Sequence, residues 1–395
     1  MTNTQHSFQT RLLHSKHKFD PETGAVSVPI QQASTFHQKN FDQPGKYDYS
    51  RSGNPTREAL EETIASLEGG SHGFAFASGM AAISTSFMLL SQNDHVVISE
   101  DVYGGTFRMI HDVLHRFGID HTFVNMTDLH EVATAIRPNT KVVYIETPSN
   151  PLLNITDIRA VAKLAKANGC LTFVDNTFMT PALQRPLELG ADVVLHSATK
   201  FIAGHSDVVA GLAVVNHPAL AEQLSFLQNA FGSILGAHDS WLVLRGLKTL
   251  DCRLKQSSES AQKIAAYLQQ HPKVEQVYYP GFTSHPGHST HSYQAQGAGA
   301  VLSLRLKDEA AVREFSKHLE IPVFAVSLGA VESILSYPAR MSHASMPKHE
   351  RLKRGITDGL LRLSVGLEKP EDLIQDFEQS LAHVEADSLV RRVSV

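Results

Sequence analysis

Residues 192–206, from Asp192 to Ser206, read DVVLHSATKFIAGHS, and the chain is interpreted outward from them. The apolar run Val193, Val194, Leu195 stops at His196 and Ser197, and Lys200 then stands between a Ser-Ala-Thr turn and a Phe-Ile-Ala-Gly segment. That is a strand end presenting an amine. Most lysines lie on the surface with a solvated ammonium. The neighbours here are not those of a solvated face: Thr199 and Phe201 flank the lysine, small hydroxyl side chains precede it and Gly204 follows. A pocket of that kind lowers an amine's pKa and makes it a nucleophile, so Lys200 is the candidate Schiff-base lysine.

Upstream, short apolar runs alternate with helical patterns. TREALEETIASLEG (56–69) sets Leu60, Ile64 and Leu67 on one stripe, and GFAFAS leads through Ser78-Gly79 into the helix MAAISTSFMLLS. The backbone N–H groups of Gly79 and Met80 then sit at a helix N-terminus, a natural anion site. HVVISE, the helix TFRMIHDVLHRFG, DHTFVN, the helix DLHEVATAI, KVVYIET, the helix DIRAVAKLAKANG and LTFVDNT continue the alternation up to ADVVLHSATK. Strands separated by helices of ten or so residues predict an α/β fold with a mainly parallel central sheet, whose ligands bind beyond the strands' carboxyl ends. Tyr103, Asn150, Asp175, Ser197 and Lys200 all fall at such ends or in the loops after them. Beyond about Arg245 the pattern changes to SESAQKIAAYLQQHP, VEQVYYPG, AGAVLSLRL, AAVREFSKHL, GLLRLSVGL and PEDLIQDFEQSLAHVEA, a smaller α+β domain. The expected division is an N-terminal arm over 1–50, a large domain over 51–245 and a C-terminal domain over 246–395.

Composition narrows the function classes. With 42% hydrophobic and 19% charged residues the chain is neither disordered nor membrane-like, and no apolar run approaches the roughly 20 residues of a spanning helix. The amino-terminal stretch lacks the apolar core of a signal peptide, so a cytoplasmic location is expected. A net charge of −5 without basic runs argues against nucleic acid and anionic membranes as partners. Two cysteines, Cys170 and Cys252, build no disulfide framework. His285, His288 and His291 in SHPGHSTH have a spacing that suits ligands on a helix, but Pro286 and Gly287 break a helix and no Cys or acidic cluster accompanies them; a solvated loop without a metal is expected.

The remaining chemistry gathers around Lys200. Asp175 closes the apolar strand LTFVD, where a carboxylate needs a partner against desolvation; a helix cap or salt bridge is the ordinary alternative. If Lys200 holds an aldehyde cofactor, Asp175 keeps a pyridine nitrogen protonated, while Gly79, Met80, Ser197 and Thr199 receive its phosphate. Tyr103 offers an aromatic face to a ring, or is an ordinary packed tyrosine. Arg362, inside the apolar strand LLRLSVG, needs a carboxylate, which an amino-acid substrate or a structural Asp or Glu supplies.

DVVLHSATKFIAGHS, with YDYSRSGNPTR (47–57), SGMAAI (78–83), EDVYGGT (100–106), ETPSNP (146–151), VDNTF (174–178) and SLGAVESILSYPA (327–339), resembles the trans-sulfuration family of pyridoxal-phosphate enzymes over nearly the whole chain. The resemblance implies the aminotransferase-like fold (fold type I), pyridoxal 5'-phosphate as cofactor, a small amino-acid substrate and a homotetramer of two catalytic dimers. It implies Lys200 and Tyr103 as catalytic residues, and Tyr49, Arg51, Gly79, Met80, Tyr103, Asp175, Ser197 and Thr199 around the cofactor. Tyr49 and Arg51 match residues that reach the phosphate from the adjacent subunit, which gives the arm a purpose. Asn150, Ser327 and Arg362 match positions at the substrate. Asp48 and Glu332 match acidic positions that meet a distal amino group. The implied reaction is β-elimination of cystathionine in methionine biosynthesis, with γ-elimination or γ-replacement as the alternative and a non-catalytic scaffold as the remote one.

Overall fold

The computed structural model describes residues 6–14, 19–344 and 346–385. Seven strands form the larger sheet: β1 (His72–Phe76), β2 (His95–Ser99), β3 (Asp120–Val124), β4 (Thr140–Glu146), β5 (Leu171–Asp175), β6 (Val193–Ser197) and β7 (Gly211–Val215), in the order β1-β7-β6-β5-β4-β2-β3. The five strands β2 to β6 run parallel, while β7 pairs antiparallel with both β6 and β1. The parallel strands therefore all end along one edge, and Glu146, Asp175 and Ser197 are the last residues of three neighbours on it.

Both faces of this sheet are covered, which is why its strands read as nearly continuous apolar runs. On one face Val143, Ile145, Val174 and Val194 pack with Leu60, Ile64 and Leu67 of the helix Pro55–Glu68. On the other, Val142, Tyr144, Phe173, Val193 and Leu195 pack with Ala82, Ile83 and Phe87 of the helix Gly79–Phe87. Side chains alternate along a strand, so Glu146, Asp175 and Ser197 project toward the second face, while their chain neighbours Thr147, Asn176 and His196 lie toward the first. That alternation matters for the site.

A second sheet holds β8 (Gln276–Tyr278), β9 (Val301–Arg305), β10 (Val323–Phe324), β11 (Ile334–Ser336) and β12 (Leu360–Ser364), in the order β10-β11-β12-β9-β8. Only β10 and β11 pair parallel. Its core joins Leu302, Leu304, Leu361 and Leu363 to Ile264 and Leu268 of the helix Leu250–Gln270 and to Leu373 and Phe377 of the closing helix Pro370–Ala382.

Some expectations change. The helix predicted over 106–118 is divided: Gly104–Arg108 is α-helical, Met109–Val113 widens to a π turn and Leu114–Phe117 tightens to a 3₁₀ turn. β7 and the helices Pro218–Phe231 and Ala237–Leu247 were not foreseen. The histidine segment is also not a solvated loop. A helix, His288–Gln294, starts directly after Gly287, and His291 is buried with its Nε2 2.9 Å from the Gly297 carbonyl. Pro286 and Gly287 stop a helix from passing through them but leave one free to begin after them. Among the described residues no group of three or more His, Cys, Asp or Glu side chains could hold a metal, and no helix is long and apolar enough to cross a membrane.

Candidate active site

Lys200 sits in the turn after β6, and its Nζ donates to the Ser327 hydroxyl at 2.7 Å. Burial, assisted by the nearby Arg362 charge, brings its pKa down to about 8. About a tenth of the lysine is thus neutral amine at pH 7, a far larger share than an ordinary lysine offers to a nucleophilic or basic role. Ser327 comes from the second sheet's side of the molecule and holds an unusual backbone, φ 94, outside the range comfortable for a residue with a Cβ. Its hydroxyl meets Lys200 while its carbonyl accepts from Arg362 Nη2 at 2.6 Å.

Arg362, in β12, is buried, and its other bonds go to Asn150 Oδ1 at 2.8 Å and the Ser336 hydroxyl at 3.2 Å. All are neutral acceptors, and its Nε has no hydrogen-bond partner. Burial lowers its pKa to about 10, so it stays charged at neutral pH. No Asp or Glu lies within ion-pair distance of it among the described residues; the sites of Glu146 and Tyr103 are near enough only to favour its charge. A buried guanidinium with an idle N–H and no bound carboxylate is ready for one from outside.

Asp175 is buried at the end of β5. Its Oδ1 accepts from Thr177 N at 3.0 Å and Thr177 Oγ1 at 2.5 Å, and Oδ2 lies 3.4 Å from the Tyr144 hydroxyl. Thr177 Oγ1 in turn accepts from Ser197 N at 2.8 Å, which links the two strand ends. Glu146 is Asp175's register partner on β4 and accepts from Tyr103 N at 2.9 Å. Burial raises both carboxyl pKa values, and each resists the other's charge. The Thr177 bonds act against the rise at Asp175, whereas the Asp175 charge adds to burial at Glu146 and pushes its carboxyl well above the usual carboxylate range.

The first turn of the helix Gly79–Phe87 faces the same edge. Ser78 Oγ caps Ala81 N at 3.0 Å and the Ser78 carbonyl takes Ala82 N, which leaves the Gly79 and Met80 N–H groups for a ligand. Gly79 lies so close to Ser197 that a Cβ there would come within 2.8 Å of the serine's Cβ. Tyr103, 39% exposed, begins the helix Gly104–Arg108, and a side chain at Gly105 would strike its ring at 2.5 Å and Met80 Sδ at 2.8 Å. Thr199 is less available than expected, because its hydroxyl is engaged with the Ala210 backbone at 3.0 and 3.2 Å.

Lys200, Tyr103, Asp175, Ser197, Gly79, Met80, Asn150, Ser327 and Arg362 therefore gather at one strand edge. Tyr49, Arg51 and Asp48 do not join them. Arg51 Nε donates to Asn229 Oδ1 at 3.0 Å and lies over the Tyr49 ring at 5.4 Å, and Asp48 Oδ1 accepts from Tyr49 N. Glu332 is exposed on the rim of a cleft of about 660 Å³ lined also by Thr199, Ser206, Val326 and Ser327. Glu146 and Thr177 escaped the sequence reading. Glu146 closes KVVYIE as Asp175 closes LTFVD, and that repeated pattern was its signal; Thr177 in VDNT carried none.

The model for the Cys/Met metabolism PLP-dependent enzyme family matches residues 9–382. The chain is 66% identical over 384 residues to a cystathionine beta-lyase, MetC, of Bacillus subtilis, covering 97% of this chain and 98% of that protein. It is 52% identical to a cystathionine gamma-lyase of the same organism, over 95% and 99%. Among solved structures, the cystathionine gamma-lyase of Lactobacillus plantarum complexed with L-serine superposes with a TM-score of 0.94 at 50% identity, covering 97% of this chain and all of that one. With a strand edge that ends in a lysine of lowered pKa, a paired carboxylate and an anion-ready helix start, the chain belongs to the Cys/Met metabolism family of pyridoxal-phosphate-dependent enzymes.

Proposed function

We propose that this protein is a carbon–sulfur lyase that β-eliminates L-cystathionine to homocysteine, pyruvate and ammonia in methionine biosynthesis. The observation that carries the reading is the pairing of Lys200 and Arg362 through Ser327, which sets an amine and a carboxylate receptor side by side. The 66% identity to a cystathionine beta-lyase supports the choice of bond.

The residues present fit pyridoxal phosphate. Gly79 and Met80 offer two free N–H groups to a phosphate, Ser197 adds a hydroxyl beside them, and the missing Cβ of Gly79 leaves the backbone exposed to it. Thr199 contributes less, since Ala210 occupies its hydroxyl. Asp175, a carboxyl at the buried end of β5, suits a protonated pyridine nitrogen, and Lys200 suits the aldehyde. Bound there, the cofactor supplies an electron sink that stabilises negative charge at the substrate's Cα.

The chain's own groups do the rest. Arg362, with its idle Nε, and Asn150 hold the substrate carboxylate and so fix which Cα bond faces Lys200. The Lys200 amine would remove the α-proton as general base. Tyr103 would offer its face to a bound pyridine ring, and Glu146 fixes that tyrosine's backbone. Departure of the thiolate from Cβ completes the elimination, with Tyr103 placed to return a proton to sulfur, and water hydrolyses the released three-carbon enamine to pyruvate and ammonia. Asp48, Tyr49 and Arg51 reach this site from a neighbouring subunit in a homotetramer of two catalytic dimers, and Asp48 and Glu332 meet the distal amino group. Among the described residues the arm makes no hydrogen bond to the Lys200 cluster, which supports that assignment.

Incubation with cystathionine and identification of the keto acid tests the reading. Pyruvate is the expected product. 2-Oxobutyrate would make the protein a γ-lyase, the reading favoured by the acidic Asp48 and Glu332; cystathionine synthesis from cysteine and an activated homoserine would make it a γ-synthase.

A further inference from the structure

Behind the strand edge, on the sheet face opposite Asp175 and Ser197, lies a buried polar network that the reaction does not use. Glu68, the last residue of the helix Pro55–Glu68, is fully buried, as is Asn176, and His196 is 1% exposed. Glu68 Oε1 is 2.7 Å from His196 Nε2 and accepts from Asn176 Nδ2 at 3.0 Å. Asn176 Nδ2 also reaches the Gln184 carbonyl at 2.8 Å, and Gln184 Nε2 donates to Asn176 Oδ1 at 3.0 Å and to the Thr147 carbonyl at 3.1 Å. The clamped residues are the immediate neighbours of the site: Thr147 follows Glu146, Asn176 follows Asp175 and His196 precedes Ser197.

A core position filled by an acid, an amide and an imidazole costs far more desolvation than a Leu or Val would there, and Glu68 Oε2, His196 Nδ1 and Gln184 Oε1 have no hydrogen-bond partner, so the group is kept at a cost that packing alone does not explain. What the arrangement supplies is a fixed distance. Asp175 and Ser197 sit on different strands and would meet opposite ends of one rigid ring-and-phosphate ligand, so their separation has to be held to fractions of an ångström. On the ligand side, the Thr177 hydroxyl alone links them. From behind, one carboxylate oxygen holds both. Burial raises the Asp175 pKa, and a charge on His196 acts in the opposite direction, which adds to the same support.

We infer that Glu68 is a positioning residue: through His196 and Asn176 it sets the spacing between the ring-nitrogen contact at Asp175 and the phosphate contact at Ser197. This rests on the cofactor placement proposed above. The test is the affinity of the cofactor-free protein for pyridoxal phosphate and for pyridoxal, which lacks the phosphate, each read from the visible absorbance and its circular dichroism. Glu68→Leu keeps the side-chain volume and removes the shared acceptor, whereas Glu68→Gln keeps an oxygen for both bonds. With two bonds to a charged acceptor lost, the ratio of pyridoxal-phosphate to pyridoxal affinity is expected to fall about tenfold in Glu68→Leu, and Glu68→Gln to stay within about threefold of wild type. A purely structural role would weaken both ligands together. Should Glu68→Leu not fold, Asn176→Ala frees one strand end and leaves the Glu68–His196 pair, and the same fall in the ratio is expected. An unchanged ratio in whichever of the two folds overturns the clamp. A wild-type protein that takes up no pyridoxal phosphate overturns the site reading and the clamp with it, so the two failures are told apart by the wild-type arm.

Discussion

The strand-end cluster and the arm segment 48–51 are built from similar residues, charged and aromatic side chains on irregular backbone, yet they are held differently. Asp175 and Arg362 are buried and Lys200 is half-buried, and their side-chain bonds run to other members of the site or to its immediate support. Tyr49 is 45% exposed, and Arg51 rests on its ring and on an asparagine of the helix Pro218–Phe231. The cluster's members hold one another within one chain. The arm's residues make no such mutual contacts with it, which is the ground for proposing them to a site shared between copies.

Substitutions that probe the two regions separately sharpen or break this contrast. Lys200→Ala is expected to cost the most, a loss of ~10³-fold or more in kcat, since it removes both the cofactor's anchor and the general base. Borohydride reduction should attach the cofactor to wild type and fail on the variant; turnover near wild type would end the assignment of Lys200. Arg362→Leu comes next, with kcat/KM for cystathionine down ~10²- to 10³-fold, the cost of a substrate carboxylate left in a buried site without its partner. Its cofactor spectrum should be retained, and a spectrum lost along with activity would show Arg362 to be part of the scaffold. Arg51→Ala is the direct probe of the arm. Among the described residues the Arg51 side chain bonds only Asn229 and rests on the Tyr49 ring, contacts worth about 1 kcal/mol or less. If it serves a neighbouring subunit's phosphate, equilibrium dialysis should show cofactor affinity weakened by about tenfold, the worth of one charge-assisted contact. Wild-type affinity would return the arm to ordinary surface.

The smallest effect is a pH profile. Because the Lys200 pKa is depressed to about 8, the neutral amine grows as pH rises through that value. Cofactor capture by the cofactor-free protein, followed by stopped-flow absorbance, should rise roughly fivefold from pH 7 to 8 and less than twofold more by pH 9. A midpoint near 10.5 would mean that neither burial nor Arg362 acts on the amine. The arm offers no counterpart to this titration.

Much of the cluster was legible because each key residue interrupts an apolar run. Lys200 after VVLHSAT, Asp175 after LTFV and Arg362 inside LLRLSVG stand where burial without purpose is expensive, and a linear sequence displays that conflict. The same rule would have found Glu146. Thr177, Glu68 and Asn176 were hidden because their meaning depends on register across β4, β5 and β6, a relation that no single strand contains. β7 was missed for a related reason: an antiparallel return strand breaks the βα alternation that identified the others. The histidine segment misled because Pro286 and Gly287 mark where a helix begins as readily as where it cannot run.

Ser327 has a consequence for anyone who would redesign this enzyme. One residue, on a backbone at φ 94, holds Lys200 by its hydroxyl and Arg362 by its carbonyl, and its neighbours Val326 and Leu328 line the cleft on whose rim Glu332 stands. Mutations chosen from the 323–332 stretch to admit a new substrate will therefore shift the base and the carboxylate receptor in the same move. Selection for altered specificity here should repeatedly trade against turnover, and the variants that escape the trade should change the opposite wall of the cleft, at Ser206 to Val209, instead.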